Sequence, residues 1–272
     1  MRCTRRHFRS AVSAHGPEDV VRVTSGDDSG LVQADCLPGS ERVSASGTVF
    51  RWRLVSALIT VVGAGGYIAL YRLGRTSGST RAERSRSLPG DDLIRNPCLV
   101  TNHAATLGVA PEDVWPWLTQ VGWHRGGWYT PRLVDRFLFP DNWPSAERLD
   151  PALLRQLRAG DTIPDGPPGT AEFVVERAES PRLLVLHSRT HLPPGWDDRF
   201  GAALDWIWTF VLDPEDGGTR ILVRNTGRVR PPWLDVAYRM MITPADYIMA
   251  RGMLRGLSRR VSRASDPPPT PL

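Results

Sequence analysis

The chain predicts an α+β fold, a curved antiparallel sheet with one long C-terminal helix laid across it. Three observations carry this. Residues 204–212 place Leu204, Trp206, Trp208, Phe210 and Leu212 at alternate positions, with Asp205 and Thr209 between them, the period of a strand with one buried face. The stretch 213–218, Asp-Pro-Glu-Asp-Gly-Gly, is turn chemistry, and residues 220–224 return with Ile221 and Val223 on the buried side of a hairpin. Beyond them Tyr247, Ala250, Met253, Leu254, Leu257 and Val261 recur at three- and four-residue intervals, with Arg251, Arg255 and Arg259 opposite, an amphipathic helix.

The other elements follow in chain order. Residues 1–50 mix charge, Gly and Ser without periodicity, so they are expected to be a disordered tail or to precede the true start, with Val49 a candidate initiation site. Thr4-Arg5-Arg6-His7-Phe8 resembles a twin-arginine export start, but no hydrophobic region follows it. Residues 54–71 then run without a charge, between Arg51 and Arg53 on one side and Arg72 and Arg75 on the other. Trp52, Tyr67 and Tyr71 stand at interfacial positions, so residues 54–73 are expected to be one transmembrane helix. Gly63-Ala-Gly65-Gly66 fails as a dinucleotide loop, because Ile68 stands three residues after Gly65. Residues 74–92 read as a flexible linker.

The folded domain is expected over residues 93–264. It opens with a strand at 98–106, then a helix from Pro111 whose first turn carries Glu112 and Asp113 and whose course Pro116 should kink or shorten. Gly126-Gly127 separates this helix from a second near 131–139, with Leu133, Val134, Phe137 and Leu138 as its inward side. Strands are expected at 161–163, 171–178 and 182–190. Thr243-Pro244-Ala245-Asp246 reads as cap, first helical residue and dipole-complementing carboxylate, so the long helix is expected to start near Pro244. The Pro-rich residues 265–272 are expected to be unstructured.

On these residues the chain resembles the START-like, or SRPBCC, superfamily of polyketide cyclases and lipid-transfer proteins. The resemblance rests on residues 110–118 (Ala-Pro-Glu-Asp-Val-Trp-Pro-Trp-Leu), 160–163 (Gly-Asp-Thr-Ile), 206–212 and 244–256, within residues 93–264. It implies a helix-grip fold, in which a short helix pair grips the sheet opposite the long helix, and a cavity that holds an apolar ligand. It implies no catalytic signature.

Charge narrows the partners. The chain has 34 basic residues, all of them Arg, against 29 acids. Residues 1–90 hold 13 Arg and 7 acids, whereas residues 91–272 hold 21 Arg and 22 acids, so the domain is nearly neutral and nucleic-acid binding is not expected. Counting Arg42, Arg51 and Arg53 before the apolar run against Arg72, Arg75, Arg81, Arg84 and Arg86 after it predicts a single-pass cell-membrane protein with a cytoplasmic domain. Cys3, Cys36 and Cys98 share no metal or disulfide spacing.

A sheet closed by one helix leaves a hollow unless large side chains fill it. The candidate ligand-binding residues are Trp117, Trp128, Tyr129, Phe173, Trp206, Trp208, Asn225, Tyr247 and Met253, chosen as wide apolar walls with polar tips. His187 and His191 are too far apart on a strand to share a metal, and neither metal nor cofactor is expected. His103, His124, Asp205 and Asp246 are the scattered acid–base candidates. The expected function is therefore a membrane-anchored carrier or sensor of a lipid, isoprenoid or polyketide-like molecule. A cyclase- or dehydratase-type enzyme on the same ligand, or an interaction module with a filled core, are the alternatives.

Overall fold

The computed structural model describes residues 45–265 except Phe139 and Asp141, with the side chains of 45–57, Leu138 and Ser265 left out. The chain divides into Met1–Val49 and Phe50–Leu272; the sheet and its covering elements belong to the second unit. Of the expected tails, residues 1–44 and 266–272 lie outside the described residues.

The elements run α1 (Ala45–Thr76), α2 (Arg81–Ser85), β1 (Leu99–Leu107), α3 (Pro111–Thr119), α4 (Arg132–Leu138), β2 (Thr162–Pro164), β3 (Glu172–Glu179), β4 (Leu183–Ser188), α5 (Trp196–Phe200), β5 (Ala203–Glu215), β6 (Gly218–Arg230) and α6 (Pro232–Ser265). Six strands form one antiparallel sheet in the order β1-β6-β5-β4-β3-β2. The β5–β6 hairpin is longer and tighter than residues 213–218 suggest, for pairing continues to Glu215–Gly218.

Alternation works on both faces. Leu204, Trp206, Phe210 and Leu212 enter the core under α6 with Trp208 packed against it, while Ile207 and Val211 point the other way into a second cluster with Leu88, Ile94, Ala104, Leu183, Val185 and Leu222. The segment 77–98 therefore covers the outer face of the sheet, where a free linker was expected. A capping box at Thr80 and Glu83 starts α2. Glu83 pairs with Arg220 at 2.7 Å, and Arg224, buried on β6, bonds Asn102, Asp91 and the backbone oxygens of Glu83, Arg84 and Arg86. One guanidinium thus ties four acceptors of the strap and one of β1 to β6, its fork matching several oxygens at once.

The long helix starts twelve residues earlier than expected, at Pro232, which follows Pro231 and precedes Asp235 in the first turn. These are the same start signals that Thr243-Pro244 offers; here Pro244 lies inside the helix and Thr243 is buried rather than a cap. Pro244 has no amide for the carbonyl of Met240, one turn back. Tyr67 of α1 donates its hydroxyl to that carbonyl at 2.6 Å. Gly74, about two turns further along α1, lies so close to the Thr243 carbonyl that a side chain there would overlap it.

Among the described residues no helix is long and apolar enough to cross a membrane. The expected span at 54–73 falls on α1, whose side chains up to Ala57 lie outside the described residues. Further along α1, Leu58, Ile59, Val61, Val62, Ile68, Leu70 and Leu73 are exposed.

α3 starts at Pro111 as expected, with Val114, Trp117 and Leu118 buried. α4 differs: Leu133 and Phe137 face solvent, and Asp135 is the buried residue, bonded to Thr130 and to Asn142.

Candidate functional site

Between the inner face of the sheet and the middle of α6 lies a cavity of about 330 Å³. Phe173 of β3 and Trp206 and Trp208 of β5 form one wall; Tyr238, Ile242, Ala245, Asp246 and Met249 of α6 form the other; Asp165, His191, Pro140 and Asn142 stand at its rim. Deeper under the helix a space of only about 10 Å³ is bordered by Trp128, Thr130, Trp208, Val223, Asn225, Asp246 and Met253. The depth is small because indoles fill it: the rings of Trp128 and Trp208 meet edge to face at 5.1 Å, and both pack on Phe173. That is room for about one water or one ligand oxygen. The interior is therefore neither an open hollow nor solid, but a chamber beside a plugged end.

The polar groups converge where the two spaces meet. Strand register sets Thr101 of β1 opposite Asn225 of β6, and Asn225 opposite Trp208 of β5, on the face under the helix; His103 is two residues on. Asp246 reaches down from α6 to all three polar residues. Its Oδ2 accepts from Thr101 Oγ1 at 2.5 Å and from His103 Nε2 at 2.8 Å, and its Oδ1 accepts from Asn225 Nδ2 at 2.8 Å. His103 is 1% exposed and Asp246 6%, so the carboxylate is dry and its partners are fixed. Around it, His103 Nδ1, Asn225 Oδ1 and the Nε1–H of Trp128 and Trp208 have no hydrogen-bond partner among the described residues. Two indole donors and an amide acceptor left unpaired beside a water-sized space form a polar recognition point in an otherwise apolar chamber.

A second carboxylate–imidazole pair lies at the rim. His191 Nε2 is 2.7 Å from Asp165, its Nδ1 is 2.6 Å from the Ser188 hydroxyl, and its ring tilts on Phe173 at 4.6 Å. Tyr238 donates to the His191 carbonyl at 3.0 Å, and burial pushes its phenol up to about 12, so it is a neutral donor at ordinary pH.

The nine residues selected from sequence divide four ways. Phe173, Trp206 and Trp208 line the chamber, and Trp128, Asn225 and Met253 the plugged end. Trp117 and Tyr129 lie in the solid core instead, edge to face at 5.8 Å, with the Tyr129 hydroxyl donating to the Trp117 carbonyl and burial holding that phenol far above its usual range. Tyr247 is turned away from the sheet, its ring and hydroxyl engaged by Arg251. The phase of α6 explains this: Asp246, Ala250 and Met253 face inward, which carries Tyr247 about 100° round the helix. Of the acid–base candidates, His103 and Asp246 come together. His124 stacks on Trp143 near the surface. Asp205 lies on the outer face with His187 and Arg189, where burial opposes ionisation but those two partners outweigh it and lower the carboxyl below its usual range.

Sequence reasoning missed Thr101, Asp165, His191, Tyr238, Ile242, Ala245 and Met249. The α6 members were readable as one helical phase once the helix is begun at Pro232. Asp165 and His191 come from separate loops, which no spacing announces. Among the described residues no group of three or more His, Cys, Asp or Glu is placed to hold a metal ion.

No family model matches the chain, and no curated protein matches it. Solved structures that it resembles include protein MLL2253 from Mesorhizobium loti, at 18% identity over 62% of this chain and 100% of that one, TM-score 0.37. Protein NE0264 from Nitrosomonas europaea is 16% identical over 62% and 97%, TM-score 0.38, and protein Ms6760 from Mycobacterium smegmatis 12% over 61% and 93%, TM-score 0.39. These are likenesses in outline; ligand and chemistry are read from the site alone.

Proposed function

We propose that this is a START-like, helix-grip domain that binds a small hydrophobic molecule in the chamber between sheet and α6, at a membrane to which α1 anchors it with the domain on the cytoplasmic side. The observation that carries the reading is the chamber of about 330 Å³ with Phe173, Trp206, Trp208, Ile242 and Met249 in its walls, at the small end of ligand sites. The apolar body of a lipid, isoprenoid or polyketide-like ligand lies against these rings. A single oxygen on it meets the unpaired indole donors at the inner end. The anchor draws support from the exposed apolar residues of α1 and from Arg72 and Arg75 after them.

Extraction of the purified full chain followed by mass spectrometry tests the ligand. The wild type should release a discrete apolar compound, and Ala245→Trp, which fills the chamber from the helix side, should release none. Bare protein in both cases would sink the reading. Resistance of the chain to alkaline carbonate extraction from membranes tests the anchor.

One observation favours a second reading, enzymatic turnover. Asp246 borders the chamber and is coupled to the buried imidazole of His103, an arrangement suited to proton transfer at a ligand oxygen. Comparing the compound bound to wild type with that bound to Asp246→Asn separates the two: a carrier holds the same species in both, whereas an enzyme leaves unconverted substrate in the variant.

A further inference from the structure

Away from the chamber, the last turns of α6 close over a separate space of about 290 Å³ beside the start of α4 and the loop at 145–147. Its walls carry Arg132, Arg259, Arg260 and Arg263 against one carboxylate, Glu147, with the hydroxyls of Thr130 and Ser145. The domain as a whole is nearly neutral, yet from Tyr247 to Ser265 α6 has five arginines and no acid. Arg251, Arg255, Arg259 and Arg263 follow one another at four-residue intervals, where like charges repel.

Arg260 is a fixed cation. Its side chain is 7% exposed, it donates to the carbonyls of Ala146 and Gly256 at 2.6 and 3.0 Å and to Glu147 at 2.7 Å, and it lies 5.1 Å over the Tyr129 ring. Arg263 reaches the other Glu147 oxygen at 3.3 Å. Arg132 and Arg259 have no ion pair among the described residues, and the Ser145 hydroxyl is buried without a hydrogen-bond partner. Glu147 is 65% exposed, so water already competes for its carboxylate and an incoming anion can displace it from Arg260.

We propose that this space binds the phosphate of a phosphomonoester, held by Arg259, Arg260 and Arg263 with the Ser145 hydroxyl, in the place that the Glu147 carboxylate partly occupies. Planar guanidinium forks match several phosphate oxygens at once, and a doubly charged group balances what one carboxylate leaves over. Besides its own desolvation and the opposing pull of Glu147, Arg260 feels Arg259 and Arg263, which depress it further, as expected of cations converging on one space. The site shares only Thr130 with the borders of the plugged end, and the inference does not rest on the ligand proposed for the chamber.

Calorimetric titration of the full chain in detergent tests it, with inorganic phosphate and, separately, dihexanoyl phosphatidate below its micelle concentration, against chloride at equal ionic strength. Phosphate should bind where chloride does not. Arg259→Gln with Arg263→Gln should weaken it on the order of tenfold, charge-assisted bonds being the strong ones. Glu147→Gln, by removing the resident carboxylate, should tighten it severalfold. All three side chains are exposed, so an unchanged Tm without phosphate certifies the fold. Tighter binding of the phosphatidate than of phosphate assigns the group to a lipid headgroup; equal binding assigns it to a soluble phosphate. Binding that matches chloride, or that these substitutions leave untouched, overturns the proposal, as does binding of an oligonucleotide without binding of phosphate.

Discussion

Asp246 gathers the buried polar contacts beneath α6 onto one side chain. A carboxylate accepting three buried hydrogen bonds stabilises the fold only while every partner is present; truncation leaves Thr101, His103 and Asn225 with donors facing an apolar void. Asp246→Ala should therefore cost about 3–5 kcal/mol in chemical denaturation, far more than a surface carboxylate would. Glu83 makes a different prediction. Its hydrogen bond with Arg220, aided by the Thr80 cap and opposed by partial burial, lowers its carboxyl from 4.5 to about 2. A group depressed in the folded state contributes stability above its unfolded value and loses it as pH falls. The contribution should thus be complete above about 4.5 and decline towards pH 2. Thermal denaturation across that window should show a shallower acid slope in Glu83→Gln, and an unchanged slope would mean that the pair does not form.

At the scale of elements, α6 is held by what its irregularities expose. Pro244 frees the Met240 carbonyl, and α1 supplies the missing donor through Tyr67. Tyr67→Phe should weaken this docking by about 0.5–1.5 kcal/mol. Its signature is faster hydrogen exchange over residues 67–76 with little change in global Tm, because local opening samples only the edge of the structure. Gly256 performs the equivalent service at the other end, where α6 crosses the Tyr129 carbonyl without room for a side chain. Gly256→Ala should cost about 1–3 kcal/mol, read as a lowered global Tm, since both elements there belong to the core. The strands and the existence of the helix were legible as period 2 and period 3.6 in residues 204–212 and 247–261. The start of the helix was not: Pro232 and Pro244 carry equivalent local signals, and only packing against the sheet and α1 makes one a beginning and the other an interior position.

At the largest scale, the unit Phe50–Leu272 is built on a sheet covered on both faces, with α6 over one and the strap at 77–98 over the other. The strap hides a core of eight buried residues and explains why β4 is buried at every position. The chamber follows from this arrangement, because α6 lies across the sheet at a distance set by Trp128 and Trp208 at one end and leaves space at the other. Trp208→Ala should join the two spaces, lower stability by about 3–5 kcal/mol and shift binding toward bulkier apolar probes, a change measurable by fluorescence competition. The sheet, its aromatic face, the amphipathic helix and the near-neutral charge of the domain were all legible in the residues alone, since those depend on periodicity and composition within short windows. The burial of Asp246 against His103, the outward turn of Tyr247, the meeting of Asp165 with His191 and the convergence of α6 arginines with Arg132 on one space arise in the folded packing instead. Such meetings depend on strand register and helix phase between segments far apart in the chain, and no local pattern encodes the angle at which one element lies across another.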